Sequence, residues 1–435
     1  MKGVIILTTL IKLAVDIGNG FVKSAVNNTD LPLEPSLIDR QNHYTGEMNS
    51  NNQTIIDNLA KNLVINVLPN KALNTQGIFA IGKSALIGNA QTSFNIQKLS
   101  DKAHDDLTII LVLGMLALHY GTNIKANRIP NKAELNVAMT TNLPLVEFTN
   151  ATHVNDLTKR YLNNTFHIQI LNFHKPIDLF IHFEKVLVVS ESIAGTLALI
   201  KDRNLHYRTA DFYKNFARKY HLDKFTGRDI NKMAHLVGID IGEGTTDISV
   251  TSGKLSLFRN AMQFIDEGIG KAIQSSMLDV RQQYNVNVKN RQTYVEQMMK
   301  RNRQGEIYRE LLHQNLSSFE TTLSDKIQNV YAILSNEVDL IFFHGAGASI
   351  IHQFYADDLD KLLKQLDPFG NTKILWLDQQ TAQWLNLEGL NAMLNSMFRK
   401  GYEDNNDTEE EPSEENTENN ATDSENTNQF NAEQD

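Results

Sequence analysis

The chain has 435 residues, enough for two domains with separate cores, because one hydrophobic core stops growing at about 250–300 residues. It contains no cysteine, which excludes disulfides, thiolate metal sites and cysteine nucleophiles, and fits the cytoplasmic location that we expect. Thirteen Asp or Glu residues and no Lys or Arg lie in residues 401–435; without them the net charge of −10 becomes +3.

The N-terminal part of the chain predicts short strands. Residues 4–11 are too few to span a bilayer, which takes about 20 apolar residues, and they lack a signal-peptide cleavage pattern. We interpret them as the start of the first strand. Residues 11–26 then read as two strands joined at Gly18-Asn19-Gly20, a turn typical of hairpins. The polar stretch 27–75 predicts a small insertion with short strands.

The rest of the chain alternates predicted strands and helices, which favours α/β layers. Residues 107–120 are apolar nearly all round and predict a buried helix that ends at Gly121. Residues 201–234 are charged and aromatic, and we expect a helical insertion or linker there. The other predictions are strands at 77–82, 135–138, 186–189, 338–343 and 374–377, and helices at 191–200, 267–284, 291–334 and 380–398.

The acidic segment 401–435 has almost no apolar side chains. It cannot bury enough surface to offset the entropy of ordering, so we predict a disordered tail that either solubilises the protein or binds a partner. No basic stripe interleaves with aromatic residues, so we expect no direct nucleic-acid binding, and no membrane association either.

An internal duplication is the most informative feature. Residues 13–26 (LAVDIGNGFVKSAV) match residues 237–250 (VGIDIGEGTTDISV) at five of fourteen positions. Each copy is an apolar strand, an Asp, a Gly-X-Gly turn and a second strand. Such a turn presents backbone N–H groups and lets a phosphate approach closely, while the Asp suits a hydrated Mg²⁺. One copy could be a plain surface hairpin, but two copies predict a phosphate-binding site.

Two other patterns are set aside. Residues 77–84 match the P-loop pattern G-x-x-x-x-G-K-[ST], but their variable positions form a strand of their own. The 13 histidines show no paired metal spacing such as H-E-x-x-H, so we interpret them as core or surface residues.

The order of motifs resembles the actin/Hsp70/hexokinase superfamily, and within it the ParM-type plasmid-segregation actins, over about residues 12–398. The motifs that carry the resemblance are the first phosphate loop Asp16-Ile17-Gly18-Asn19-Gly20 with Lys23, the connecting segment Val188 to Gly195, the second phosphate loop Asp240 to Asp247, the adenosine motif Phe343 to Ser349, and the smaller landmarks Glu34-Pro35-Ser36, Ala80-Ile81-Gly82, Asn142-Leu143-Pro144 and Gly268-Ile269-Gly270.

The resemblance implies an α/β, actin-like (ribonuclease-H-like) duplicated two-domain fold with a nucleotide cleft between the domains. Domain I would cover residues 1–200 and domain II residues 235–372, with 201–234 between them. The strand and helix at 373–398 would return to domain I.

The resemblance also implies site residues. Asp16 and Asp240 would hold Mg²⁺ through water, and Glu191 and Asp240 would be catalytic, Glu191 by orienting or deprotonating the attacking water. The implied nucleotide-binding residues are Asp16, Gly18, Asn19, Gly20, Lys23, Gly242, Gly244, Thr245, Thr246, Glu267, Lys271, Gly345, Ala346 and Gly347. Alternatives remain: Glu191 could only complement the helix dipole, Lys23 could be an exposed strand lysine, and Gly345 to Gly347 could be a plain turn.

The function implied is an ATPase that uses ATP/ADP and Mg²⁺ and polymerises with ATP into filaments for positioning plasmid or other DNA. Its partners would be other copies of itself and a DNA-bound adaptor. The alternatives are a non-polymerising ATPase or small-molecule kinase of the same fold, and a nucleotide-binding structural scaffold. A chaperone is disfavoured, because only 88 residues follow Gly347 and the last 35 look disordered.

Overall fold

The computed structural model describes residues 5–6, 10–44, 50–95 and 101–399. The predicted tail at 401–435 lies outside the described residues. Residues up to Phe398 form one compact unit.

Two β-sheets organise this unit. The first contains β1 (Ile5–Ile6), β2 (Ile11–Ile17), β3 (Phe21–Val26), β4 (Thr29–Asp30), β5 (Glu34–Pro35), β6 (Leu37–Gln41), β7 (Val64–Val67), β8 (Gly77–Ile81), β9 (Gln91–Ser93), β10 (Lys132–Leu143), β11 (Thr165–Ile170) and β12 (Ile177–Ser190). Its order is β4-β3-β2-β10-β12-β11-β7-β8-β6-β9, with β5 added on β3 and β1 on β10. The second sheet contains β13 (Leu236–Ile241), β14 (Thr246–Thr251), β15 (Gln263–Ile265), β16 (Leu340–His344) and β17 (Lys373–Trp376), in the order β15-β14-β13-β16-β17.

Helices cover the sheets and connect the strands. They are α1 (Asn52–Asp57), α2 (Leu59–Asn62), α3 (Asp106–Asn123), α4 (Leu145–Phe148), α5 (Ala151–Leu162), α6 (Glu191–Ile200), α7 (Lys214–Lys219), α8 (Gly227–Ile230), α9 (Ile269–Tyr284), α10 (Arg291–Met298), α11 (Arg303–Ile333), α12 (Ala348–Leu366) and α13 (Gln379–Ser396).

The internal duplication is visible in the strand pairing. β2 pairs antiparallel with β3, and β10 and β12 follow in parallel with β2. In the same way β13 pairs antiparallel with β14, and β16 and β17 follow in parallel. Parallel strands bring their carboxyl ends to one edge of a sheet, where ligands bind in open α/β folds. The duplicated α/β architecture predicted from the sequence is therefore present.

Helices α6 and α13 join the two sheets. α6 begins directly after β12 and also packs against β13 and β14, while α13 packs against α6, β2, β10 and β16. Gly389 of α13 lies against the backbone of Ala194, where a Cβ would overlap the Ala194 carbonyl oxygen. The glycine thus allows the close helix approach that places both helices between the hairpins.

Helix α3 lies in the core of the first sheet. By length and composition it could cross a membrane, but 83% of the segment is buried inside the protein, as expected for a core helix. The prediction that Gly121 ends this helix is wrong, because the helix continues to Asn123. Gly121 is instead a packing position, where a Cβ would overlap the side chain of Leu59.

Two segments that were predicted to be helical differ in detail from the prediction. The helical stretch predicted at 291–334 consists of α10 and α11, since Asn302 caps the start of α11 with its side chain. Between 201 and 234 the backbone forms two short helices, α7 and α8, and a β-bridge between Lys201 and Tyr207, with turns around them.

The P-loop-like sequence is part of a sheet. Residues Gly77–Ile81 form β8, which pairs with β6 and β7, and a 3₁₀ turn follows. The Lys83 amide and ammonium both donate to the Glu34 carboxylate, at 2.9 and 3.0 Å. Lys83 is therefore engaged with a buried carboxylate of the fold, which agrees with setting the motif aside.

Candidate functional site

The first hairpin carries a buried ion pair at the end of β2. Asp16 accepts hydrogen bonds from the Lys23 ammonium at 2.6 Å and from the Asn142 side-chain amide at 2.9 Å. Burial alone would raise the pKa of Asp16, but the Lys23 charge and these hydrogen bonds leave it below its ordinary value. The Lys23 side chain is 13% exposed, so it is not an exposed strand lysine.

The second hairpin has a different partner at the matching position. Asp240 pairs in register with Asp247, whereas Asp16 pairs with Lys23. The Asp240 carboxylate accepts from the Asn386 amide of α13 at 2.9 Å. The hairpin on the second sheet therefore carries two carboxylates, whereas the first carries a carboxylate and a cation.

Asp247 is buried with one oxygen partnered and one free. Its Oδ2 accepts from the Leu145 backbone N–H at 3.1 Å, and its Oδ1 has no hydrogen-bond partner. Burial raises the pKa of Asp247 to about 7, against the opposing effect of the Leu145 hydrogen bond. Sequence reasoning placed Asp247 in a motif but gave it no role.

Asp247→Asn is expected to flatten the pH dependence of stability. The pKa of this carboxyl is about 7 in the folded protein and about 4 in the unfolded chain. Its ionisation therefore lowers the free energy of unfolding progressively as pH rises from 4 to 7. Asparagine keeps the acceptor for Leu145 but cannot ionise. The stability of the variant relative to wild type should therefore increase by about 2–3 kcal/mol between pH 5 and pH 8. Urea unfolding at both pH values measures this, and an equal difference at both would contradict it.

Glu191 lies at the first position of α6, after the N-cap Ser190. Burial raises the pKa of Glu191 well above its usual range; Lys102 opposes this, and the carboxylates of Asp240, Asp16 and Asp247 add to it. A carboxyl tuned upward in this way is typical of a general base at neutral pH.

Lys102 is a buried residue of the site that sequence reasoning missed. Its ammonium donates to the carbonyl oxygen of Ile17 at 2.7 Å and lies 4.0 Å from a Glu191 oxygen. It therefore links the end of β2 to the start of α6. Because Lys102 comes from the turn before α3, no local sequence signal connects it with either motif.

The two glycine turns face each other. The Glu243 side chain lies so close to Gly20 that a Cβ there would overlap its carboxylate, and Glu243 also forms an ion pair with Arg291 at 2.5 Å. Within the described residues, no hydrogen bond is donated by the backbone amides of Asn19 and Gly20. Such amides suit an anionic oxygen. Neither Glu243 nor Arg291 was predicted.

The remaining predicted residues surround the second hairpin. Gly345 has a φ of +84°, and a Cβ there would overlap Asp240, so this turn requires glycine. The Gly347 amide donates to Ile241 O at 2.8 Å, which places the turn against β13. At the start of α9 the Thr246 hydroxyl donates to Glu267 O at 2.9 Å and the Lys271 ammonium to Asp266 O at 2.6 Å. The structure thus brings the second hairpin, the Gly345 turn and α9 together.

The first turn is braced by the predicted Glu34-Pro35-Ser36 segment. The Ser36 hydroxyl donates to Gly18 O at 2.6 Å, and its amide donates to Gly20 O at 3.0 Å. Ser36 therefore holds both carbonyl groups of the first turn.

The side chains present fit a magnesium–nucleotide complex. Buried atoms without a hydrogen-bond partner include Asn142 Oδ1, Asp247 Oδ1, Asn386 Oδ1 and His344 Nδ1, of which the first three are oxygens. Mg²⁺ prefers oxygen ligands and keeps several waters, which these polar atoms can bind. His344 lies with Nδ1 3.5 Å from Asp240, and burial lowers its pKa.

Comparison with known proteins shows which fold the chain has. A family model described as the actin-like proteins N-terminal domain matches residues 14–193. Comparison with curated protein sequences gives no match. Among solved structures, the actin-like protein Alp7A is similar with a TM-score of 0.65 and 14% identity, covering 89% of this chain and 97% of its own.

Two other solved structures have a similar fold. A ParM solved as a 15-stranded filament from Clostridium botulinum is similar with a TM-score of 0.57 and 16% identity, covering 89% of this chain and all of its own. An archaeal actin homologue in complex with ADP has a TM-score of 0.57 and 14% identity, with the same coverage.

The chain therefore has the actin-like fold. Residues 14–193 match the model of the actin-like N-terminal domain, and the predicted resemblance to bacterial actins of the ParM and Alp7A type is confirmed at the level of the fold.

Proposed function

We propose that the protein binds ATP with Mg²⁺ between its two glycine hairpins and hydrolyses it. The observation that carries this proposal is the facing arrangement of two equivalent Asp-Ile-Gly-X-Gly turns, with the half-buried Glu191 near enough to Asp16 and Asp240 to be affected by their charges. The ADP complex of an archaeal actin homologue with this fold supports a nucleotide as the ligand.

Each half of the cleft would contribute a different element. In the first hairpin, the amides of Asn19 and Gly20 bind phosphate oxygens, and Lys23 balances the charge of Asp16. In the second hairpin, Gly242 to Thr246 would bind the phosphates from the opposite side. Asp16 of the first hairpin and Asp240 of the second would hold Mg²⁺ through water. Bound Mg²⁺ would neutralise charge that develops on the phosphoryl oxygens.

Glu191 would orient the attacking water and accept its proton. Lys102, 4.0 Å from Glu191, stabilises the ionised form of that carboxylate and holds it near the end of β2. The Gly345 to Gly347 turn would pack against the nucleoside, with Glu267 and Lys271 on the neighbouring segment.

We further propose that ATP binding promotes assembly of copies of this chain into filaments. The support is the fold shared with a ParM solved as a filament. Pelleting and light scattering of the purified chain with ATP and Mg²⁺ test this. The expected result is assembly at tens of micromolar protein with ATP but not with ADP. A protein that stays monomeric while hydrolysing ATP would contradict the filament proposal and leave the ATPase proposal intact.

The alternatives within the fold predict different results. A small-molecule kinase would transfer phosphate to a sugar in a coupled assay, and a structural scaffold would bind ATP without turnover. A DNA-bound adaptor and a cytoplasmic setting belong to the proposal only by similarity. A pull-down of assembled filaments with plasmid-bearing lysate would test the adaptor.

A further inference from the structure

A cluster of histidine and aspartate side chains lies beside the turn that carries Lys102. Asp101 and His104 belong to this turn, and His153 and Asp156 belong to α5. One candidate ligand atom from each of Asp101, His104 and His153 lies within 4.8 Å of the other two. The proposed ATPase mechanism uses none of these four side chains.

We propose that Asp101, His104 and His153 bind one divalent transition-metal ion of the zinc type. Two imidazoles and one carboxylate are a ligand set that Zn²⁺ accepts, with water in the fourth position. Tetrahedral Zn²⁺ places its ligand atoms about 3.4 Å apart. His104 Nδ1 is 2.6 Å from Asp101 Oδ1, so rotations of exposed side chains suffice to open this pair and bring His153 in.

The second nitrogen of His104 already has the partner that a metal-bound histidine needs. His104 Nε2 lies 3.1 Å from Asp156 Oδ2, which fixes the ring and leaves Nδ1 directed at Asp101. A carboxylate on the far nitrogen of a ligating histidine orients the ring and raises its basicity. Asp156 is therefore the supporting residue of this site.

His153 supplies an unsatisfied imidazole. Its Nδ1 is buried and has no hydrogen-bond partner, and it lies 3.7 Å from a Glu147 oxygen. Its ring stands edge-on to the His104 ring with the centroids 5.0 Å apart. The two rings are therefore close enough for one nitrogen of each to bind the same ion.

The position of the cluster indicates what the ion would do. The Glu147 carboxylate accepts hydrogen bonds from the backbone amides of Lys102 and Ala103, both at 3.0 Å, and these bonds attach the turn to α4. The turn already contacts α5 through the His104–Asp156 pair and through Arg160, which donates to the Ala103 carbonyl oxygen at 2.9 Å, and the ion would add a further link through His153. Since Lys102 reaches Ile17 and Glu191, the ion would stabilise the geometry of the candidate nucleotide site; this consequence rests on the proposed function, whereas metal binding does not.

The binding test uses the full chain without a histidine tag, freed of metal with a chelator and kept in excess Mg²⁺. Titration calorimetry with ZnCl₂ should show one site, and Co²⁺ should give the absorption bands of a tetrahedral complex. His104→Gln, His153→Gln and Asp101→Asn should each weaken zinc binding at least about tenfold. Asp101 is 60% exposed, so its variant will fold.

The matched control is His167→Gln. His167 also pairs with an aspartate, Asp178 at 2.8 Å, but belongs to no such cluster in the described chain. This variant should bind zinc as wild type does. The metal-site proposal would be overturned if the wild-type chain bound no stoichiometric zinc, or if the His104→Gln and His153→Gln variants bound zinc as well as wild type does. Either result would mean that His104 is only an ion-paired histidine.

Hydrogen exchange tests the attachment of the turn. Zinc should slow exchange of the Lys102 and Ala103 amides in wild type and not in His104→Gln. Unchanged exchange in zinc-loaded wild type would overturn the attachment. These measurements need no nucleotide, so a failure of the ATPase proposal would not alter them.

Discussion

Glu191→Gln is expected to lower kcat for ATP hydrolysis by about 100-fold or more, while the affinity for nucleotide changes by less than about threefold. Glutamine has the same shape, but it cannot accept a proton from water. Because burial raises the pKa of Glu191, wild-type kcat should rise with pH as this carboxyl ionises, at a higher pH than for a free glutamate. Phosphate release measured across pH gives both quantities.

The matched control is Glu320→Gln on α11, which also removes a partly buried carboxyl with a raised pKa but lies outside the candidate site. Its kcat should equal that of wild type. If turnover were unchanged in Glu191→Gln, the role of Glu191 would be only to complement the dipole of α6. A wild-type protein that binds ATP without any turnover would identify a scaffold.

Asp16→Ala is expected to destabilise the protein by about 3–5 kcal/mol, because it leaves the Lys23 ammonium buried without its partner. The pKa of Asp16 is lowered in the folded protein, so its stabilising effect is complete above the unfolded value near 4 and is lost as pH falls. The full loss should therefore appear at neutral pH. Urea unfolding followed by circular dichroism measures it.

A double-mutant cycle separates the ion pair from other effects of Asp16. Asp16→Ala combined with Lys23→Met removes both charges and should recover much of the lost stability. Asp358→Ala breaks the exposed pair with Lys361 and should cause no measurable change. Strictly additive single-variant losses would show that the two side chains act independently.

Local sequence determined the duplicated hairpins, most of the helices and strands, and the position of Glu191 after a buried strand. Glycine turns, apolar periodicity and strand-to-helix junctions depend on neighbouring residues, so they can be interpreted without knowing the packing. The same locality explains why the similarity of residues 13–26 to residues 237–250 predicted the duplicated fold.

Only the tertiary structure decided which distant groups meet. Lys102 reaches Glu191 from another element, Asn386 reaches Asp240 across 146 positions, and Leu59 packs against Gly121 inside α3. His104 and His153 have no metal spacing along the chain, yet the turn before α3 and helix α5 bring them together. Burial also sets the pKa of Asp247, since desolvation depends on the whole surrounding fold and not on adjacent residues.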